Sequence, residues 1–488
     1  MTLIQRRLVG LCVFVVVGAL GGFIALWQQR HSELKDQEKK AAEKVLRFDK
    51  PELITKLTLD TPAGSFVVQR EPNAPEEETW KVKAPLDTVA EKTTVDGILG
   101  HLSTLARTRA VGETAPDGTV MPPAELGVFG LDPPRFTVTV EANDGAIEKL
   151  LVGKKSTFDG SVFVKVDGKP EVGVVPGALE YQVDRDLFKL REKRLAIIDS
   201  AQVNRLTVTY VDPAQKRQQH YVLEKDGEEF AFKEPKVMPA DSAQVSGILS
   251  SLGSARAKRF VSERATRAEM HTFKLDEPSA QVEMSLANGS TVTLLYSEMK
   301  NAESTSYYAM QAGDHPLLEL SSEWAFKKAM TSPDDLRDKR VLRIDREAVR
   351  TLTLTQGATE LRFERRADAK TKELGWSMVA PEARAVSEAT LSGLLYTLSS
   401  LKGERVIADS AIDADWATYG LDKPEIRVTL AGEADAPLGT LLVGVEKDGG
   451  RAVSSAGSRR IDIVDGSRIK DISFNPDDYK DVHSKDEP

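Results

Sequence analysis

The chain has 488 residues, of which 41% are hydrophobic and 29% charged, and its formal net charge is −9. At about 150 residues per domain the length points to roughly three domains. The acidic balance gives no bulk attraction for nucleic acid, whose binding depends on Lys and Arg neutralising phosphates, and for the same reason disfavours acidic substrates and anionic lipid. The single cysteine, Cys12, excludes an intrachain disulfide and a cysteine metal cage.

The first element is an uncharged apolar run of twenty residues, Leu8 to Trp27. At about 1.5 Å per residue it crosses the roughly 30 Å hydrocarbon core of a bilayer. Arg6 and Arg7 precede it, while Arg30, Lys35, Lys39 and Lys40 are mixed with Glu33, Asp36 and Glu38 beyond it. The positive-inside tendency then predicts a cytoplasmic N-terminus at 1–7, a transmembrane anchor at 8–27 and all later residues outside, in a bacterial periplasm. The location read from this is the bacterial inner membrane, crossed once. A cleaved secretory signal is the alternative, with Ala19-Leu-Gly21 as its cleavage site, although the apolar run continues through Phe23, Ile24, Leu26 and Trp27. Leu11 before Cys12 argues against a lipoprotein. Gly18 and Gly22 have the small-xxx-small spacing that lets two membrane helices approach, with chance placement as the other explanation. Residues 28–50, rich in Glu, Lys, Gln and Ala, read as a charged stalk.

Beyond the stalk the sequence repeats itself three times. Trp80 to Pro85 reads WKVKAP, Phe230 to Pro235 reads FAFKEP and Trp376 to Pro381 reads WSMVAP, with prolines offset by 235 − 85 = 150 and 381 − 235 = 146 residues. Phe129-Gly-Leu-Asp132, Phe273-Lys-Leu-Asp276 and Tyr419-Gly-Leu-Asp422 recur in step. Units this long are whole domains, each able to bury its own core. They are placed at 51–199, 200–345 and 346–476, with 477–488 as a charged tail. Lys193-Arg194-Leu195 and Lys339-Arg340-Val341 echo each other at the two joins, and no Gly/Ser-rich linker separates the copies. The copies are expected to pack closely in a row.

Each copy opens with alternating stretches such as Leu53 to Leu59, Leu206 to Tyr210 and Leu352 to Leu354, which read as strands. A second strand and the aromatic-to-proline strand follow. Then comes a helix with one apolar stripe: Val95, Ile98, Leu99, Leu102 and Leu105; Val245, Ile248, Leu249 and Leu252; Leu391, Leu394, Leu395, Leu398 and Leu401. Asp241 with Gln244, and Ser387, are candidate N-terminal caps. Strands resume after the Gly-Leu-Asp phrase, with hairpin turns at Asn143-Asp144-Gly145 and Asn288-Gly289. The predicted fold class is α+β: a transmembrane helix and three tandem, mostly antiparallel-sheet domains, each with one main amphipathic helix.

Tests for chemistry return structural readings. Asp132, Asp276 and Asp422 stand between a leucine and a proline or acidic or basic neighbour at a strand entry, where a short carboxylate accepts backbone N–H bonds; a ligand or metal role is the alternative. Trp80, Phe230 and Trp376 alternate with polar neighbours on a strand and read as core anchors, with a sugar-stacking platform as the alternative. The six histidines show no zinc-ligand spacing, and Val152-Gly-Lys-Lys-Ser156 lacks the glycine that a phosphate loop needs, having Glu148 there. No catalytic motif, cofactor fingerprint or metal set is found, so no catalytic residue, cofactor or small-molecule substrate is assigned. Copy two departs from the others at Phe230, Lys274 and Ser297, the last standing where copies one and three have Gly153 and Gly444.

The aromatic-to-proline strand, the amphipathic helix, the aromatic-Gly-Leu-Asp phrase and the Leu-Leu-Val-Gly strand end at Leu150 to Gly153 and Leu441 to Gly444 together resemble a bacterial family of a domain of unknown function, number four-three-four-zero. The resemblance covers most of residues 53–476, with the middle copy the most divergent. It implies a single-span, outward-facing companion of ABC transporter components of the gliding-motility auxiliary type, and it supplies no catalytic residue. The functional expectation is a membrane-anchored, periplasmic, non-catalytic accessory or scaffold of an envelope ABC-type transport complex. Its partners would be membrane lipid through the span and a membrane protein of transporter type. A cell-wall polysaccharide-binding module is the alternative.

Overall fold

The computed structural model describes residues 43–48, 50–114, 120–121, 123–367 and 374–481. The apolar run at 8–27, with Gly18 and Gly22, lies outside the described residues, as does most of the stalk. Among the described residues no helix is long and apolar enough to cross a membrane.

Three nine-stranded antiparallel sheets follow one another along the chain, all with one strand order. In the first, the order across the sheet is Thr88–Val89, Trp80–Ala84, Gly64–Arg70, Ile54–Thr61, Phe136–Ala142, Ile147–Lys155, Val162–Val166, Val172–Val175 and Arg109–Val111. The first and last parts of each repeat therefore pair through its opening strand, as in Leu57 opposite both Val68 and Val140. The longest helix of each repeat is Lys92–Ser103, Ser242–Gly253 or Glu388–Ser400, and the other helices are short. The tandem, mostly antiparallel part of the predicted α+β class is seen, and with nine strands to few helices in each repeat the architecture is mostly β.

The described chain divides into two compact units, one comprising residues up to Val203 with Thr209–Gln218 and Leu249–Met330, the other comprising Asn204–Val208, Gln219–Ile248 and Thr331 onward. In the first unit, Val95, Ile98, Leu99 and Leu102 of the helix are all fully buried against Leu57, Leu59, Val68 and Val138 of the first sheet. That stripe is the predicted one, and truncating any of its leucines to alanine removes packing worth about 2–5 kcal/mol. In the second unit Leu391, Leu394, Leu395 and Leu398 cover the third sheet in the same way. Ser387 caps its helix by accepting the Thr390 N–H at 3.2 Å, and Asp241 accepts from Ala243 and Gln244 at 3.1 and 3.3 Å.

Two boundaries shift. Val45 and Leu46, read as stalk, are buried in the first core, and Val45 N–H donates to the Leu105 carbonyl at 3.0 Å. Tyr479, read as tail, is buried in the third core, its ring centroid 4.8 Å from that of Phe363. All three residues stand among charged neighbours in sequence.

The aromatic-Gly-Leu-Asp phrase forms a tight turn under the outer face of each sheet. Its second residue has left-handed backbone in all three copies, with φ of 64° at Gly130, 54° at Lys274 and 67° at Gly420. The leucine that follows is the anchor: Leu131, Leu275 and Leu421 are all buried. The carbonyl of the aromatic residue presses on the strand end. A Cβ added at Gly153 would lie 2.3 Å from the Phe129 oxygen, and one at Gly444 would lie 1.9 Å from the Tyr419 oxygen. In the middle copy Ser297 occupies this place and its hydroxyl donates to the Phe273 carbonyl at 2.5 Å.

Two glycine substitutions therefore act in opposite directions. Gly444→Ala is expected to destabilise by at least about 1–3 kcal/mol through overpacking. Gly393→Ala, in the Glu388–Ser400 helix where a Cβ meets nothing within 4 Å, is expected to stabilise by about 0.5–1 kcal/mol. Urea unfolding of the two variants checks the pair, and equal signs would refute the packing account.

Candidate functional site at the joins between repeats

The residues singled out in the sequence separate into two groups. Trp80, Phe230 and Trp376 are 0%, 7% and 5% exposed, so none offers a face on which a sugar could stack. Their local partners explain why. The Trp80 Nε1–H donates to Asp96 at 3.0 Å, and the Arg70 guanidinium lies 4.4 Å from the ring centroid. The Phe230 N–H donates to the Ser242 hydroxyl at 3.2 Å, and the Trp376 N–H to Glu388, so a side chain in the first turn of the helix holds the aromatic strand in both copies.

The shared aspartates are all exposed. Asp276 accepts the Glu277 N–H at 3.1 Å and pairs with His271 Nδ1 at 2.9 Å, and the His271 hydrogen bond holds its carboxyl below the ordinary value. Among the described residues the turn hydrogen bonds expected of Asp132 and Asp422 are not formed. The three aspartates thus share a place in the turn but no common set of partners. Among the described residues no group of three or more His, Cys, Asp or Glu is arranged to hold a metal.

The polar chemistry that recurs lies where one repeat passes into the next. The chain leaving a repeat first bonds back to it: Glu91 N–H to the Leu190 carbonyl at 2.8 Å and Glu192 N–H to that of Val89 at 2.8 Å. The second join repeats this with Asp241 to Leu336 at 2.7 Å and Asp338 to Pro239 at 3.0 Å. The same strap then bonds forward to the segment after the next helix. Leu195 donates to Ala255 and Ala257 to Lys193, both at 2.8 Å; Val341 donates to Leu401 at 2.9 Å and Gly403 to Lys339 at 2.8 Å. Each strap is therefore a short strand shared by two repeats.

A buried arginine locks each strap. Arg191, 3% exposed, lies 3.3 Å over the Phe260 ring and donates to both oxygens of Glu263 at 2.6 and 2.9 Å. Arg337, 7% exposed, donates to Asp409. Glu263 and Asp409 stand just after equivalent strands, Ala257–Ser262 and Arg405–Ala408. A second ion pair also recurs, from Arg256 to Glu91 and from Lys402 to Asp241 at 3.0 Å. Bidentate guanidinium pairs fix orientation as well as distance.

The second join carries a larger buried network. Asp338, 3% exposed, accepts from Arg340 at 2.7 Å and pairs with Arg343 at 2.6 Å. Burial works against its charge, but the Arg340 hydrogen bonds and the Arg343 charge outweigh burial and hold its carboxyl below the ordinary value. Asp409 is likewise held low against burial, by Arg337 and Lys236. Asp462, 2% exposed, goes the other way: burial dominates and pushes its carboxyl up despite Arg460. A Cβ at Gly403 would fall 2.5 Å from Asp462 Oδ1, so glycine is what lets the segment after the helix approach that carboxylate.

This arrangement can hold and orient. Sequence reasoning noted the echo at Lys193-Arg194-Leu195 and Lys339-Arg340-Val341 but missed the arginines that matter. Reading back three residues gives Leu190-Arg191 and Leu336-Arg337, the signal that was there.

Comparison with known proteins agrees with the threefold division. A family model described as a domain of unknown function (DUF4340) matches at residues 80–236, 231–375 and 376–484. Its unit begins at the aromatic strand, so it runs out of phase with the folded sheets, each of which starts two strands earlier. No curated protein matches. Among solved structures, a DnaN sliding clamp (DNA polymerase III subunit beta) from Pseudomonas aeruginosa, bound to griselimycin, is 9% identical over 89% of this chain and 97% of that one, with a TM-score of 0.13, a likeness that carries no argument.

Two outcomes are expected at the second join. Asp409→Ala leaves Arg337 buried without its carboxylate and should cost about 3 kcal/mol in urea unfolding, while Arg337→Met combined with Asp409→Leu should recover most of it; equal losses in both would contradict the role given to the pair. On acidification Asp462 takes up its proton first, which favours the folded state because its folded pKa is raised. Asp338 and Asp409, whose folded pKa values are depressed, stabilise the join above the ordinary carboxylate value of 3.8, and that contribution is lost as pH falls below it. The protection of the Val341 and Gly403 amides, taken relative to the intrinsic exchange rate at each pH, should therefore fall below about pH 3.8 and stay constant between pH 5 and 7.

Proposed function

The chain belongs to the DUF4340 family of domains of unknown function, and on that footing we propose that it is a membrane-anchored, periplasmic, non-catalytic accessory or scaffold of an envelope ABC-type transport complex. The observation that carries this reading is the repeated join. What recurs between copies is the apparatus for holding domains together: strap bonds, a buried arginine and a helix-start ion pair. The apolar run at 8–27 supports anchorage, since its length matches a bilayer core.

The reading is tested in two steps. Alkaline carbonate extraction of membranes should leave the full chain in the pellet, while a chain lacking residues 1–42 is released. Crosslinking in intact cells followed by affinity purification should then recover ABC transporter subunits, with recovery weakened by Gly18→Leu combined with Gly22→Leu. Recovery of wall fragments, or of no membrane protein, would overturn the accessory role.

A further inference from the structure

The first repeat carries a cleft whose apolar wall has polar counterparts in the second repeat. It has a volume of about 1130 Å³ and lies at the end of the sheet where the chain enters the fold, between Phe48, Lys50, Leu53 and Ile54 on one side and the turn joining Phe136–Ala142 to Ile147–Lys155 on the other. Its apolar wall includes Leu53 and Ile147, which are 41% and 63% exposed. Backbone bonds identify their counterparts in the second repeat. Asn143 N–H donates to the Leu53 carbonyl at 2.9 Å as Ala287 does to Gln202 at 2.8 Å. Ala142 donates to Ala146 at 2.9 Å as Leu286 does to Ser290 at 2.9 Å, which sets Ile147 against Thr291. The first repeat thus exposes leucine and isoleucine where the second has glutamine and threonine. Scattered exposed apolar residues are ordinary, but two lining one cleft are a surface feature that calls for an occupant.

The charges around the cleft are unequally engaged. Lys149 pairs with Asp167 and Lys169 with Glu148, both at 3.9 Å, and Asp144 accepts the Ala146 N–H at 2.9 Å. Glu148 also accepts the Arg47 N–H at 2.6 Å. The side chains of Arg47 and Lys50 line the cleft with no carboxylate partner among the described residues. A cleft with an apolar wall and two cations without a carboxylate partner among the described residues fits an amphipath with an alkyl chain and a phosphate. Trp27 and Glu43 are 43 − 27 = 16 residues apart, a span of at most about 55 Å when extended, so this end of the fold stays within reach of the bilayer. The net charge of −9 opposes such a ligand in bulk, so the attraction is local to Arg47 and Lys50.

We propose that this cleft binds a phospholipid, its acyl chain against Leu53 and Ile147 and its phosphate between Arg47 and Lys50. The inference rests on the membrane-anchored reading for the source of the lipid. The test uses residues 43–488, since the first core is closed by Val45 and Leu46. Dihexanoylphosphatidylglycerol is titrated below its micellar concentration by calorimetry, with glycerol 3-phosphate and octyl glucoside as the phosphate-only and chain-only comparators. Saturable binding of the lipid is expected, with both comparators at least tenfold weaker. Leu53→Gln with Ile147→Thr, which installs the residues of the second repeat, and Arg47→Gln with Lys50→Gln should each weaken lipid binding at least tenfold without moving the melting temperature. Absence of saturable binding, or binding indifferent to both double variants, overturns the proposal. Lipid binding by residues 43–488 alongside carbonate release of the full chain would sink the anchor and leave the cleft; membrane retention without lipid binding would sink the cleft and leave the anchor.

Discussion

The structure depends on a strap that belongs to two repeats at once. A sheet of nine strands exposes backbone donors and acceptors at its rim, and these must be paired or solvated. The residues that leave one repeat satisfy part of that rim and then satisfy the segment behind the next helix. Because the strap is bonded on both sides, neither neighbour can turn without breaking it, and the buried arginine adds a directional constraint to the backbone bonds. A charge that deep tolerates little displacement: its carboxylate has to follow it. The helix-start pairs, Glu91 with Arg256 and Asp241 with Lys402, extend the same logic to the rim of the join.

The entry to the first repeat uses the same device. Arg107 donates to the Glu43 carbonyl at 2.7 Å, as Ala257 does to Lys193 and Gly403 to Lys339 at the joins. The segment entering the array is therefore tied down in the way the internal connectors are.

Much of this was legible in the sequence, and the parts that were not share a cause. The helix stripes were readable because Val95, Ile98, Leu99 and Leu102 follow one period and all are buried. The three copies were readable because their turn and anchor residues recur. Asp132, Asp276 and Asp422 misdirected attention: the shared aspartate is exposed, while the neighbouring leucine and the left-handed residue before it hold the turn. Val45, Leu46 and Tyr479 were lost among charged neighbours, since single apolar residues in a strap show no period. The arginines at 191 and 337 look like surface residues in sequence, and only the pairing across about seventy residues reveals them as buried.

The two joins are also interchangeable in chemical kind. Arginine meets carboxylate in both, and an acid at the start of the earlier helix meets a cation after the later one. A chain in which Glu192 ran directly into Lys339 would bring Arg191 to Asp409 and Glu91 to Lys402, keeping every charge complementary. Unequal recombination could then remove or add a whole repeat in one event with these charge pairs kept, so that the number of domains is free to vary among descendants while the joint itself stays fixed.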